Sequence, residues 1–275
     1  MKKILSFIFC VAICVTLAAC NSNQAVNIDG NSRKSPLPAS STASKTAADI
    51  LAEPDKPVDN HKDMYNAYYT ALETLRQRHM LPDGTDCGFE KDYDISENKF
   101  AVYDVDNDGK EEVIILYTTT ITAGMAGYIL AYNNKAGALQ TELHEFPSLT
   151  FYNNGIVKAL WSHNQGLAGD DFWPYNLYQY NSNSDSYVLV GMVDAWDKNY
   201  SGLDSKNNSF PSNIDKSGTG FVYYIMEDGQ YDNTHPVDAS EYNEWINSYI
   251  GNASEIQIHY MDLTEENISK IRRGL

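Results

Sequence analysis

The main body of this chain is almost without cysteine. Of four cysteines in 275 residues, Cys10, Cys14 and Cys20 lie in or close an N-terminal apolar run. Cys87 is therefore alone in the rest, and no internal disulfide framework can form there. Basic residues are also scarce: 20 Lys and Arg against 37 Asp and Glu give a formal net charge of -17. That balance sets aside nucleic acid and bare anionic membrane as partners unless a cation intervenes. Signatures of catalysis are missing too. The six histidines never recur as His-x-x-x-His or His-x-His, so no zinc site is expected. Neither Gly-x-Ser-x-Gly nor a glycine-rich phosphate loop occurs.

Core-forming material is ample. Apolar residues make up 43% of the chain, and tyrosine is abundant at 20 residues. Aromatic side chains suit half-buried sheet surfaces, so the composition leans towards β structure.

Met1-Lys2-Lys3 gives a positive start, and Ile4 to Ala19 is an uncharged, mostly apolar run too short for a comfortable membrane span. It ends Leu17-Ala18-Ala19-Cys20, which resembles the lipobox of bacterial lipoprotein signals. The resemblance implies cleavage of residues 1–19 and a diacylglyceryl group on Cys20, with an amide-linked acyl chain in many species. Two or more chains anchor stably where one would be reversible. The implied location is extracytoplasmic, at the bacterial cell membrane, where calcium is plentiful. Residues 20–60, typified by Ser35-Pro36-Leu37-Pro38-Ala39-Ser40-Ser41-Thr42, carry almost no large apolar side chains. That composition predicts a disordered tether, with a reach on the order of 35 Å.

Residues 61–275 read as one globular β-rich domain of the α+β class: an antiparallel β-meander sheet with an N-terminal helix and two C-terminal helices. Tyr65, Tyr68, Leu72 and Leu75 recur at three- and four-residue steps, predicting a helix over 61–79. Strands are expected at 98–105, 112–118, 127–132, 138–146, 151–152, 156–161, 177–180, 186–193 and 221–226, joined by short turns such as Asn154-Gly155. Val113–Leu116 is continuously apolar, as expected of a central strand covered on both faces. Asp238 opens a helix carrying Tyr242, Trp245, Ile246 and Tyr249, and Gly251 ends it. Ile256, Ile258 and Tyr260 alternate as a further strand, and Thr264 opens a last short helix.

The chemistry concentrates between the first two strands, in Asp104-Val105-Asp106-Asn107-Asp108-Gly109-Lys110-Glu111-Glu112. Carboxylates at loop positions 1, 3 and 5, glycine at 6 and a carboxylate at 9 suit a chain that wraps a hard cation. Alternation brings successive side-chain oxygens inward, Gly109 allows the sharp turn, and the Lys110 carbonyl can face the ion while its ammonium points out. Position 12 is Ile115, so the bidentate glutamate of an EF-hand is missing. The four carboxylates at these ligand positions repel one another without a cation, and a hairpin turn needs only one or two. The expected metal set is Asp104, Asp106, Asp108, Lys110 and Glu112, holding a structural Ca2+.

This pattern between strands resembles the calcium loops of FG-GAP and VCBS repeats, in which position 9 supplies the last carboxylate, here Glu112. No second copy occurs, so a propeller is not implied. The chain as a whole resembles uncharacterised secreted lipoproteins of bacteria, mostly Gram-positive, with one such loop after a helix and a Val-x-x-x-Glu-Tyr helix near the end, here Val237, Glu241 and Tyr242. The resemblance carries no function over.

A second loop, Trp161–Trp173, holds Trp161, His163, Asp170, Asp171 and Trp173, candidates for binding a glycan or peptide. The bland reading is a long loop whose aromatics pack on a sheet edge. Asp170 and Asp171 as a hydrolytic pair must reckon with adjacent residues pointing apart. No catalytic residue is assigned. The leading expectation is a membrane-tethered surface module binding a protein or glycan partner; the alternative is an extracytoplasmic hydrolase acting on envelope or glycan substrate through this loop.

Overall fold

The tyrosine and leucine stripe lies on helix α1 (Asn60–Arg78), and Tyr68, Leu72 and Leu75 are fully buried beneath it. The computed structural model describes residues 60–88, 92–164 and 166–273. Cys20, the apolar run before it and the expected tether lie outside the described residues.

The surface beneath α1 is a five-stranded antiparallel sheet of β1 (Lys99–Tyr103), β2 (Glu112–Tyr117), β3 (Ala126–Asn133), β4 (Ala138–Glu145) and β11 (Met261–Asp262), in the order β11-β1-β2-β3-β4. β2 is central, as its apolar run predicts. Val113, Ile115 and Tyr117 point into the core under α1, while Ile114 and Leu116 point the other way, the period-2 consequence of a pleated strand. Helix α3 (Glu265–Ile271) adds Ile268 and Ile271 to the α1 side, and the Thr264 hydroxyl caps it by accepting the Asn267 N–H at 3.2 Å.

The class is α+β, with the strands divided between two sheets. Phe146-Pro147-Ser148 separates β4 from β5 (Leu149–Tyr152). Pro147 lacks a ladder donor and restricts Phe146, so the chain leaves the first sheet there. The second sheet continues with β6 (Ile156–Leu160), β7 (Tyr175–Asn181), β8 (Ser186–Asp197), β9 (Phe221–Met226) and β10 (Pro236–Asp238), in the order β10-β9-β8-β7-β6-β5. Val157, Phe151 and Tyr187 of this sheet meet Ile114, Ile129 and Leu143 of the first in a shared core. Polar ties join the sheets as well: Gln140 donates to the Asp185 carbonyl at 2.6 Å, and the Tyr178 hydroxyl donates to Glu145.

The outer face of the second sheet carries Ile156, Tyr175, Leu177 and Val193, covered by Tyr242, Trp245, Ile246 and Tyr249 of α2 (Ala239–Tyr249). Asp238 is its N-cap. The order of layers is thus α1 and α3, first sheet, second sheet, α2. Residues 256–260 depart from expectation. Instead of a strand they follow a single bridge, Tyr152↔Glu255, and make an Ile256 N–H bond of 2.8 Å to the Phe151 carbonyl. Ile256, Ile258 and Tyr260 still cover the inter-sheet core, so burial produced the alternation without a neighbouring ladder. Cys87 is a buried, free thiol in the α1-side core. No helix among the described residues is long and apolar enough to cross a membrane.

Helix α2 sits close because Gly191 has no side chain: a Cβ there would stand 2.7 Å from the Trp245 ring. Gly191→Val should therefore destabilise the domain by about 1–3 kcal/mol through overpacking, read by urea denaturation. A variant as stable as the parent would contradict this docking.

Candidate metal centre

The acidic loop spans residues 104–111 between β1 and β2, whose register sets Tyr103 opposite Glu112. Its coil is held by its own carboxylates. Asp104 accepts the N–H groups of Asn107 at 2.8 Å and Gly109 at 3.1 Å. Asp106 accepts from Asp108 N–H at 2.9 Å and Asp108 from Lys110 N–H at 2.8 Å. Asn107 and Gly109 both take positive φ, 68° and 89°, and this winding turns the alternate side chains inward. The Asn153-Asn154-Gly155 turn of the second sheet backs the loop: a Cβ on Gly155 would stand 3.4 Å from the Asp106 carbonyl oxygen.

Two triads of carboxyl groups form here and share Asp106. Asp104, Asp106 and Asp108 each place an oxygen within 4.8 Å of the others, and so do Asp106, Glu112 and Glu142. An ion with oxygens at about 2.3–2.6 Å separates opposite ligands by about 5 Å at most, so both groups have the right size for Ca2+. Lys110 departs from expectation in part, because its ammonium bonds Asp108 at 2.5 Å rather than pointing away. Asp108 must exchange that ammonium for a cation if it is to ligate.

Glu142 is the member that sequence reasoning missed. Plain alternation along β4 would set Leu139, Thr141 and Leu143 on one face. The pairing of β3 with β4 instead slips between Ile129 and Leu130: Ile129 faces Leu143 and Leu130 faces Thr141, leaving Glu142 as the extra residue of a β-bulge. A bulge re-aims side chains. Here it lets Leu139 pack under α1 while Leu143 enters the inter-sheet core, although residues four apart on a regular strand share a face. Glu142 itself is only 4% exposed. No sequence pattern announces this slip.

The electrostatics are severe. Asp106 and Glu112 are 6% and 1% exposed. Glu112 accepts the Val105 N–H at 3.0 Å, but Asp106 Oδ2, both Glu142 oxygens and the Tyr187 hydroxyl have no hydrogen-bond partner. The nearby Tyr180 hydroxyl is committed to Asp185 at 2.7 Å. Burial, reinforced by neighbouring carboxylates, pushes Glu112 and Glu142 up to about 9 and Asp106 to about 6. The same burial pushes the Tyr187 hydroxyl up. The arrangement calls for protons or a cation.

The second predicted site comes together less. The Trp173 indole donates to the Trp161 carbonyl at 2.8 Å, and the Trp161 indole donates to Asn176 at 2.7 Å. Asp170 and Asp171 stand exposed in one short 3-10 turn, Gly169–Asp171. His163 is exposed, with its ring 2.8 Å from the Ser162 hydroxyl. None of the five lines the large polar cleft beside this loop; Gly166 and Leu167 do.

Comparison of the chain with protein-family models, curated proteins and solved structures finds no match. The site therefore speaks through its own geometry.

A pH dependence follows for the cation-free protein. The ordinary value for Glu112 and Glu142 is 4.5 and the folded value about 9, so between these limits the folded state holds more protons than the unfolded chain. Stability is then full below about pH 4.5 and falls as pH rises towards about 9, by at most about 1.4 kcal/mol per pH unit for each proton held. Thermal melts in chelator should drop from about pH 5 to about pH 9, and Glu142→Gln should flatten the drop. A melt that rises with pH across this range would contradict the assignment.

Proposed function

We propose that the chain is a lipid-anchored, extracytoplasmic binding module whose two sheets are held in place by a structural Ca2+. The observation that carries this reading is the set of buried carboxylates on Asp106, Glu112 and Glu142, with oxygens of Asp106 and Glu142 that accept no hydrogen bond from the described residues. Asp104, Asp108 and the Lys110 carbonyl would complete the shell from the loop, and Glu142 would tie it to β4. Oxygen-only ligands in a flexible loop suit calcium better than zinc or copper. Affinity in extracellular modules of this kind is on the order of 0.1–1 mM.

The address supports the same reading. Leu17-Ala18-Ala19-Cys20 after an apolar run would place the protein outside the cytoplasm, where such an affinity is useful, with Cys20 acylated. The acidic surface then meets its partner at the cell envelope rather than on nucleic acid.

Calcium at millimolar concentration should raise the melting temperature, and Asp106→Ala should abolish the rise. Equal melts in calcium and in chelator would sink the metal assignment. In cells, Cys20→Ser should release the protein from the membrane fraction and prevent incorporation of labelled fatty acid. Unaltered membrane retention would remove the anchor.

A further inference from the structure

Seven residues beyond Tyr187 on β8, roughly 23 Å along the strand, a second buried carboxylate opens onto solvent through a cleft. Asp194 is 3% exposed. Its Oδ1 accepts the N–H of Ala195 at 2.7 Å. The contact of Oδ2 is the Tyr231 hydroxyl at 3.5 Å, beyond the length of a good hydrogen bond. The carboxylate thus has acceptor capacity to spare, which is uncommon for a group so buried.

The cleft encloses about 520 Å³, within the range of small-molecule sites. Its access depends on Gly166. A Cβ there would lie 2.2 Å from Asp194 Oδ1, and Gly166 is not among the glycines with positive φ, so space rather than backbone conformation requires the glycine. Tyr231 is 54% exposed and is braced by the Trp161 ring at 6.1 Å. It offers an open aromatic face beside the carboxylate. Lys206, Asn208 and Asn233 line the same cleft.

Charge narrows the ligand. Lys206 disfavours a cationic group, and Asp194 disfavours an anionic one. Asp204, also on the wall, is occupied by Asn208 and by the backbone N–H groups of Lys206 and Asn208. What suits the remainder is a neutral molecule with hydroxyl donors for Asp194, acceptors for Lys206 and Asn233, and an apolar ring face for Tyr231. We infer that the cleft at Asp194 and Tyr231 is a binding site for a neutral carbohydrate. The inference rests on the binding-module reading above, naming its ligand class, and is independent of the calcium site.

The test uses the full chain, purified in detergent with calcium, titrated by calorimetry and saturation-transfer NMR with cellobiose, maltotriose and chitobiose. Lysine methyl ester and glucose 6-phosphate serve as charged comparators. At least one neutral saccharide should bind, with Asp194→Asn and Gly166→Ala each weakening it about tenfold or more and Tyr231→Ala removing the ring contacts in the NMR spectrum. The calcium-induced rise in melting temperature should persist in all three variants, marking them as folded. Binding of none of the saccharides, preference for a charged comparator, or binding unmoved by the variants would each overturn the inference. An intact calcium response alongside any of these results would leave the proposed module standing.

Discussion

Carboxylates cannot share a dry space as anions, and much of this fold is arranged around a place where three carboxyl groups meet. Asp106 reaches it from the β1–β2 loop, Glu112 from the first position of β2, and Glu142 from the bulge in β4. The second sheet closes the space with Tyr187 and backs the loop with the turn at Gly155. Three strands, one loop and one turn thus meet at a point whose charge must be balanced from outside the side-chain inventory. Protons do this at low pH. A divalent cation would do it at neutral pH and would bind the loop to β4 in the same step.

The acids sit in an otherwise apolar inter-sheet core. Ile114, Ile129, Leu143 and Phe151 pack beside them, so hydrophobic filling is within reach of the architecture. Buried ion pairs or lone carboxylates seldom add stability by themselves. Retaining several makes physical sense when a ligand repays their desolvation, and the proposed calcium ion is such a ligand.

Much of the architecture was legible in the residues. The 3.6-residue stripe at Tyr65, Tyr68, Leu72 and Leu75 located α1, the unbroken run at Val113–Leu116 located the central strand, and Asp238 and Thr264 marked two helix starts. These features are local, since each depends on periodicity or capping within a few residues. The partition into two sheets was not legible, because it depends on how the chain turns at Pro147. The coil at 256–260 mimicked a strand because one-sided burial imposes the same alternation with or without a ladder. The loop half of the acidic site was plain from its spacing, whereas Glu142 comes from a separate strand, β4, which local spacing does not join to the loop. The cleft at Asp194 was hidden because its walls come from strands β8 and β9 and from separated loops.

The central claim is that Glu112 and Glu142 keep their protons until a cation displaces them. Its most direct test is proton release, followed in a pH-stat near pH 7.5 while calcium is added to the metal-free protein. Ligands that must deprotonate to bind release their protons, so between about one and two protons should appear per calcium bound, and fewer with Glu142→Gln. Calcium binding with no proton release, or no binding at all, would contradict the account.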